Sequence, residues 1–234
     1  MPDQTGALPR YLQISELLIR DIAAGRLLDG SRLPPEREMA QSLGVAVGTL
    51  RKALAELAQK GLLERVQGSG NYIRARTATD SIYALFRLET PAGGGLPTAE
   101  VLSVACLPKP ADLPAFGTGP LAHRIRRLRS LSGRIAALEE IWLCASHAAQ
   151  LTAEDLSQSL YLHYRRALGL WILRAEDRIG LAPLPDWTPP RFVHPPGAPM
   201  GHILRIAWSQ DNARAEVSQT WFDPEAARYV ARLQ

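Results

Sequence analysis

Apolar residues at Tyr11, Ile14, Leu18 and Ile22 recur at helical spacing between Pro9, suited to a first turn, and Gly25, suited to a stop. They predict a first helix. Residues 29 to 34 (Asp-Gly-Ser-Arg-Leu-Pro) have turn composition. Pro35-Glu36-Arg37-Glu38 then opens a short second helix, with its carboxylates in the first turn where the helix dipole favours them, and Leu43-Gly44 closes it. A third helix is predicted over residues 47 to 60, with Leu50, Leu54 and Leu57 facing inward and Gly61 as its stop. Strand-like runs at 62 to 66 and 71 to 74, joined by Gln67-Gly68-Ser69-Gly70, form a hairpin. Three helices followed by a glycine-tipped hairpin are the winged helix-turn-helix plan.

Residues 75 to 80 lack apolar periodicity and read as a linker. Strand-like runs then follow at 81 to 88, 100 to 107, 123 to 131, 135 to 143, 171 to 179, 202 to 208 and 215 to 222. Helical signals interrupt them. Thr152-Ala153-Glu154-Asp155 reads as a capping-box-like start before Leu156, Leu160, Tyr164 and Leu168. The proline-dense stretch 182 to 200 reads as an irregular crossing loop. The resulting class is α+β, with domains at 1 to 74 and 81 to 234.

Composition changes this picture little. Of the 234 residues 46% are hydrophobic and 21% charged, which is enough apolar material for packed cores without staples. A formal net charge of +4 permits a polyanionic partner without requiring one. Cys106 and Cys144 stand in apolar settings far apart, and read as reduced core residues. No run approaches a membrane span, and Met1-Pro2-Asp3-Gln4 lacks the character of a signal peptide, so no membrane partner and a cytoplasmic location are expected.

The second and third helices have the lengths of a helix-turn-helix whose later helix enters the major groove. Ala46, Val47, Gly48, Thr49 and Arg51 at its start would face base edges. Arg51 can bridge to guanine or clamp phosphate, and Ala46 and Val47 can meet thymine methyls. Arg37 is placed for phosphate, and Gln67-Gly68 at the wing tip lets backbone approach a groove. The same helices and hairpin could instead form a protein-docking module.

Residues 9 to 14 (Pro-Arg-Tyr-Leu-Gln-Ile), 22 to 27, 32 to 40 (Arg-Leu-Pro-Pro-Glu-Arg-Glu-Met-Ala) and 61 to 65 resemble the head domain of the gluconate-repressor (GntR) family, over residues 8 to 74. The resemblance implies DNA contacts by Arg37, Thr49, Arg51 and Gly68, made by dimers on short palindromes. Where the family has Ser-Arg-x-Thr, this chain has Ala46-Val47-Gly48-Thr49. It thereby loses an N-cap hydroxyl and a base-reading arginine.

Beyond the linker, strand alternation puts Arg127 and Arg129 on one face with Ile125 and Leu131. Two guanidiniums among apolar residues are costly without anions. They suit a carboxylate or phosphate ligand, with Ser159 early in the helix that Thr152 announces adding an anion-binding helix end. Equally, the arginines could pair with Glu139, Glu140 or Glu216, leaving Ser159 as a cap.

Residues 81 to 88, 127 to 129, 137 to 140, 155 to 161 and 215 to 218 are similar in order and spacing to UTRA, the effector domain of the HutC-type branch, over residues 81 to 223. That resemblance implies an antiparallel sheet with flanking helices, related to chorismate lyase, dimerisation through this domain, and effector contacts by Arg127, Arg129, Glu139, Ser159, Tyr161 and Glu216. Ile135 stands where a proline is usual, and 187 to 199 is unusually proline-rich. The five histidines show no metal-ligand spacing, and no metal or cofactor is expected. The function implied is a homodimeric, ligand-responsive repressor released from a palindromic DNA operator by a small anionic metabolite. Lyase-like catalysis and ligand-blind DNA binding are the alternatives.

Overall fold

The computed structural model describes residues 9–23, 26–74, 85–156 and 159–232. The chain divides into two compact units, one built mainly on Leu8–Arg87 and the other mainly on Pro97–Val230. The expected linker and the first four residues of the strand predicted at 81 to 88 lie outside the described residues.

The first unit contains α1 (Arg10–Ala23), α2 (Glu36–Ser42), α3 (Val47–Gln59) and the hairpin β1 (Leu63–Val66) and β2 (Gly70–Ile73). Ile14, Leu18 and Ile22 of α1 meet Met39 and Ala40 of α2, Leu50, Leu54 and Leu57 of α3, and Leu63 and Ile73 of the hairpin in one core. Leu50, Leu54 and Leu57 are essentially inaccessible to solvent. Truncating any one to alanine would cost about 2–5 kcal/mol. Between α2 and α3 the chain reverses at Gly44, whose φ of 61° favours a residue without Cβ. The segment before α2 adds a third rung to the wing, with Leu33 N donating to Asn71 O at 2.8 Å and a bridge between Arg32 and Tyr72.

The second unit is organised on a six-stranded antiparallel sheet. Besides a two-residue strand β3 (Leu88–Glu89), its strands are β4 (Pro97–Pro108), β5 (Leu121–Leu131), β6 (Arg134–Cys144), β7 (Ile172–Pro183), β8 (Pro199–Ser209) and β9 (Arg214–Phe222). A second short strand, β10 (Arg228–Tyr229), pairs with β3. In space the large sheet runs β4-β5-β6-β9-β8-β7. The β5–β6 turn places Ser132 and Gly133 at positive φ, as a two-residue hairpin with the right strand twist requires. Because β6 lies inside the sheet and β7 at its edge, the chain between them must cross one face. This crossing carries α4 (Leu160–His163), which continues as a π-helical turn over Tyr164–Leu168.

Alternation then divides β5 between two faces. Ile125 packs with Ile141, Leu143, Leu160 and Tyr164 under the crossing segment. Leu128 packs on the other side with Leu138, Leu184, Phe192, Met200 and Trp221.

Five expectations need correction. The predicted capping box does not start a helix: Asp155 Oδ2 accepts from the backbone and hydroxyl of Thr152 at 2.9 and 2.7 Å, which closes a turn. The helix starts at Leu160, with Ser159 as its N-cap. Residues 182 to 200 are not a crossing loop, because β7 runs to Pro183 and β8 begins at Pro199 as its neighbour. Their loop is a hairpin end, closed at its neck by Leu184 N to Ala198 O and Gly197 N to Leu184 O, both 2.9 Å. Among the described residues of the run expected at 81 to 88, Leu85, Phe86 and Arg87 are not in a strand, and Leu88 is. Trp171 precedes β7 instead of opening it. Finally, Cys144 is buried but Cys106 is exposed on the β4 edge, so only one cysteine belongs to the core.

Candidate DNA interface and effector site

On the first unit, α3 starts at Val47 with Ala46 as its N-cap, and no side chain caps the helix. With a methyl in place of a hydroxyl, no side chain meets the first-turn amides, of which Thr49 N donates to the Ala46 carbonyl at 2.9 Å. Ala46, Gly48 and Arg51 are exposed and Val47 and Thr49 half-buried, while Arg37, Gln67 and Gly68 are exposed on α2 and the wing. Gly68 has a φ of 75°, which a side chain would strain.

Arg51 does not hang free. Its Nε donates to Glu36 Oε2 at 2.7 Å across the helix-turn-helix, and its carbonyl accepts from Arg65 at 3.2 Å. The hydrogen bond from Arg51 holds the Glu36 carboxyl below its ordinary range, against the opposing effect of burial. Glu36 and Arg65 were missed from the sequence, although Glu36 directly precedes Arg37 in the quoted motif.

On the second unit the covered face of the sheet carries a buried polar cluster. Arg127 on β5 stands opposite Glu139 on β6 in register. Glu139 takes both arginines: Arg127 reaches Oε2 at 2.6 Å, and Arg129 donates to Oε1 at 2.7 Å and Oε2 at 3.0 Å. Burial would raise the Glu139 carboxyl, but the two guanidiniums outweigh it and hold it at about 2. Glu140 points to the opposite face, where it takes Arg126 at 2.6 Å and the Trp142 indole at 3.1 Å.

Farther along the same face, the Tyr161 hydroxyl donates to Glu216 Oε1 at 3.0 Å. Burial pushes Glu216 upward in pKa, against the pull of Tyr164, Tyr161, Arg205 and Arg127. Glu216 Oε2 and the hydroxyl of Tyr164 are buried and meet no partner in good hydrogen-bond geometry among the described residues, though the two side chains interact with each other. Arg205 completes the row, held by both oxygens of Asp177 at 2.6 and 2.7 Å, with Tyr229 donating to Asp177 at 2.7 Å. Ser159 is buried, and its hydroxyl accepts from Leu162 N at 3.4 Å.

The chain can now be placed among known proteins. A model of the bacterial regulatory proteins of the gntR family matches residues 10–73, and a UTRA domain model matches residues 92–228. The HTH-type transcriptional regulator SmoD of Agrobacterium fabrum is 60% identical over 98% of this chain and 98% of its own. The chain belongs to the gntR family of bacterial transcription regulators. Its head followed by UTRA is the HutC-type architecture.

The HTH-type transcriptional repressor NagR of Bacillus subtilis is 28% identical over 95% of this chain and 94% of its own. In fold, this gntR-family regulator is similar to the crystal structure of YydK from Bacillus subtilis, with a TM-score of 0.54 at 21% identity, covering 97% of this chain and 100% of that one. UTRA is the ligand-binding half of such regulators.

Of the residues expected to bind effector, the fold brings Arg127, Arg129 and Glu139 into one cluster, and Tyr161 and Glu216 into hydrogen-bond contact on the same face. Ser159 caps the helix over that face, but the α-helical stretch is only four residues long, so little dipole stands behind it. The pairing alternative holds for Glu139 and not for Glu140 or Glu216 as first partner of the arginines. Tyr164 and Arg205 were missed. Tyr164 read as part of the helix's apolar stripe, while alternation on β8 from the buried Ile203 could have found Arg205.

Proposed function

We propose that this regulator is a repressor that grips a palindromic operator as a cytoplasmic homodimer and is released by a small anionic effector held on the covered face of the UTRA sheet. The single observation that carries the effector's charge is that Arg127 and Arg129 share one carboxylate, Glu139, in a buried setting. A site so composed gains from an incoming carboxylate or phosphate, which guanidiniums bind in paired fashion. In this reading Arg127, Arg129 and Ser159 hold the anion, while Tyr161, Glu216 and Tyr164 face the remainder of the ligand.

The repressor sense is supported by relatives whose names say as much, among them NagR and the mannosyl-D-glycerate transport/metabolism system repressor MngR of Escherichia coli, 28% identical over 74% of this chain. The head is residues 1 to 74 and the sensor 81 to 234, joined by 75 to 80. On the operator, Arg37 and the wing at Gln67-Gly68 meet phosphate and groove edge, and Ala46, Val47, Gly48, Thr49 and Arg51 meet bases. The chain acts by binding alone, without turnover of its effector. Release requires the effector to favour one spacing of the two heads over another.

The test is a panel of phosphorylated and carboxylated sugars with their neutral parents, read by thermal shift and by release of a labelled operator. An anionic member should stabilise the wild type and release DNA. Arg127→Ala and Arg129→Ala should keep operator binding and lose that response. Release by neutral parents alone, or chemical conversion of the bound compound, would overturn the reading.

A further inference from the structure

The start of α3 offers a base pair almost no hydrogen-bonding side chain. Between Ser42 and Arg51 the sequence has one polar side chain, Thr49, and it is half-buried. Arg51 is exposed, but its Nε is engaged by Glu36 at 2.7 Å. Ala46 stands at the N-cap with no side-chain oxygen. The first turn therefore presents methyl carbon from Ala46 and Val47, next to the bare backbone of Gly48.

Gly48 is the informative residue. A glycine inside a helix weakens it relative to alanine, so something should require it. Nothing within the head does: its φ is not in the left-handed region, and a Cβ built on it would meet nothing within 4 Å. The use of a missing side chain at this exposed position lies outside the molecule, in letting another surface come close to the helix backbone. Ala55, seven residues on and so on the same face of α3, is exposed and equally short. Val47 has the complementary property. It is half-buried and packed against the head core, and a β-branched side chain in a helix has essentially one χ1 setting. Its outer methyl is fixed in place before DNA arrives, and it is too short to read a base unless the helix sits deep.

In the major groove the base pairs differ in their donors and acceptors and in one apolar mark, the C5 methyl of thymine. A rigid, methyl-tipped reader can recognise that mark alone. We propose that Val47 reads the C5 methyl of a thymine in each operator half-site, with α3 seated close over it at Gly48, so that this base is selected by apolar contact and not by a hydrogen bond. The inference rests on the reading of α3 as the helix that enters the major groove. 5-Methylcytosine carries the same group at the same place, and the test separates the two.

The full chain is first used to select duplexes from a random, unmethylated pool, which should enrich a half-site containing thymine. Each thymine is then replaced in turn by deoxyuridine, which removes the methyl and keeps every hydrogen-bonding group. One replacement should weaken binding by about fourfold, the order of one buried methyl. At that position 5-methylcytosine should outbind cytosine by a similar factor, which marks the methyl and not the pair as the feature read. Val47→Ala should bring the thymine-to-deoxyuridine ratio close to one, while Arg37→Ala should weaken both duplexes and keep the ratio. Thermal midpoints check that both variants fold, and the wild-type ratio needs no variant. A pool that enriches no sequence would overturn the reading of α3 as an operator reader, and this inference with it. An enriched site indifferent to every deoxyuridine, or a ratio that Val47→Ala leaves unchanged, would overturn the methyl reading alone.

Discussion

A carboxylate that serves two buried guanidiniums cannot be removed cheaply, because both cations lose an ionic partner at once. Glu139→Gln should therefore lower unfolding stability by roughly 3 kcal/mol near neutral pH, the order expected for breaking one partner out of a buried pair. Its pH dependence has a definite sign. The Glu139 carboxyl falls from 4.5 to about 2 on folding, so its contribution is present above 4.5 and disappears as pH drops toward 2. Urea melts of wild type and variant should converge across that window. Glu216 behaves oppositely: burial raises its pKa, so its ionised form weakens the fold as pH rises past 4.5. Glu216→Gln should stabilise the protein at pH 8 and make little difference at pH 4, as thermal melts at the two values will show.

At the scale of elements, α3 starts without a capping side chain. Ala46→Ser should supply an acceptor for a first-turn amide and add about 1 kcal/mol to the stability of the head, checked by denaturant unfolding. Most elements of both units are legible in the sequence. Leu50, Leu54 and Leu57 announce α3, and alternation through Ile125, Arg127 and Arg129 announces β5, since each pattern reports one buried face directly. The failures occur where a local signal has two readings. Thr152 and Asp155 satisfy each other in a turn as readily as in a helix start, and which one wins depends on Leu156 and Leu160 seeking the same sheet face. Prolines at 183, 185, 189 and 190 suggest a crossing, yet strand order alone determines whether a loop crosses or returns. In the site, Arg127 and Arg129 are readable from strand parity and Glu139 from the resemblance; alternation could place Arg205 on a buried face, but its meeting with Tyr161 depends on a sheet order that no local pattern encodes.

For the whole molecule, operator binding should weaken steeply with salt, because phosphate contacts release counterions. Removing Arg37, exposed on α2, should weaken all DNA sequences alike and reduce the salt slope by about 1. Removing Arg51, which Glu36 steadies, should instead relax discrimination among operators, and Glu36→Gln should share part of that loss. Titrations against operator and scrambled duplexes at several salt concentrations separate the two. The β7–β8 loop has a different consequence. Its neck is bolted by two backbone hydrogen bonds and its interior anchored by Leu184 and Phe192, while Val193 at 80% accessibility points outward. Such a loop is a natural handle: a fluorophore attached at Val193 would report on the sensor in real time without disturbing the strands that the loop joins.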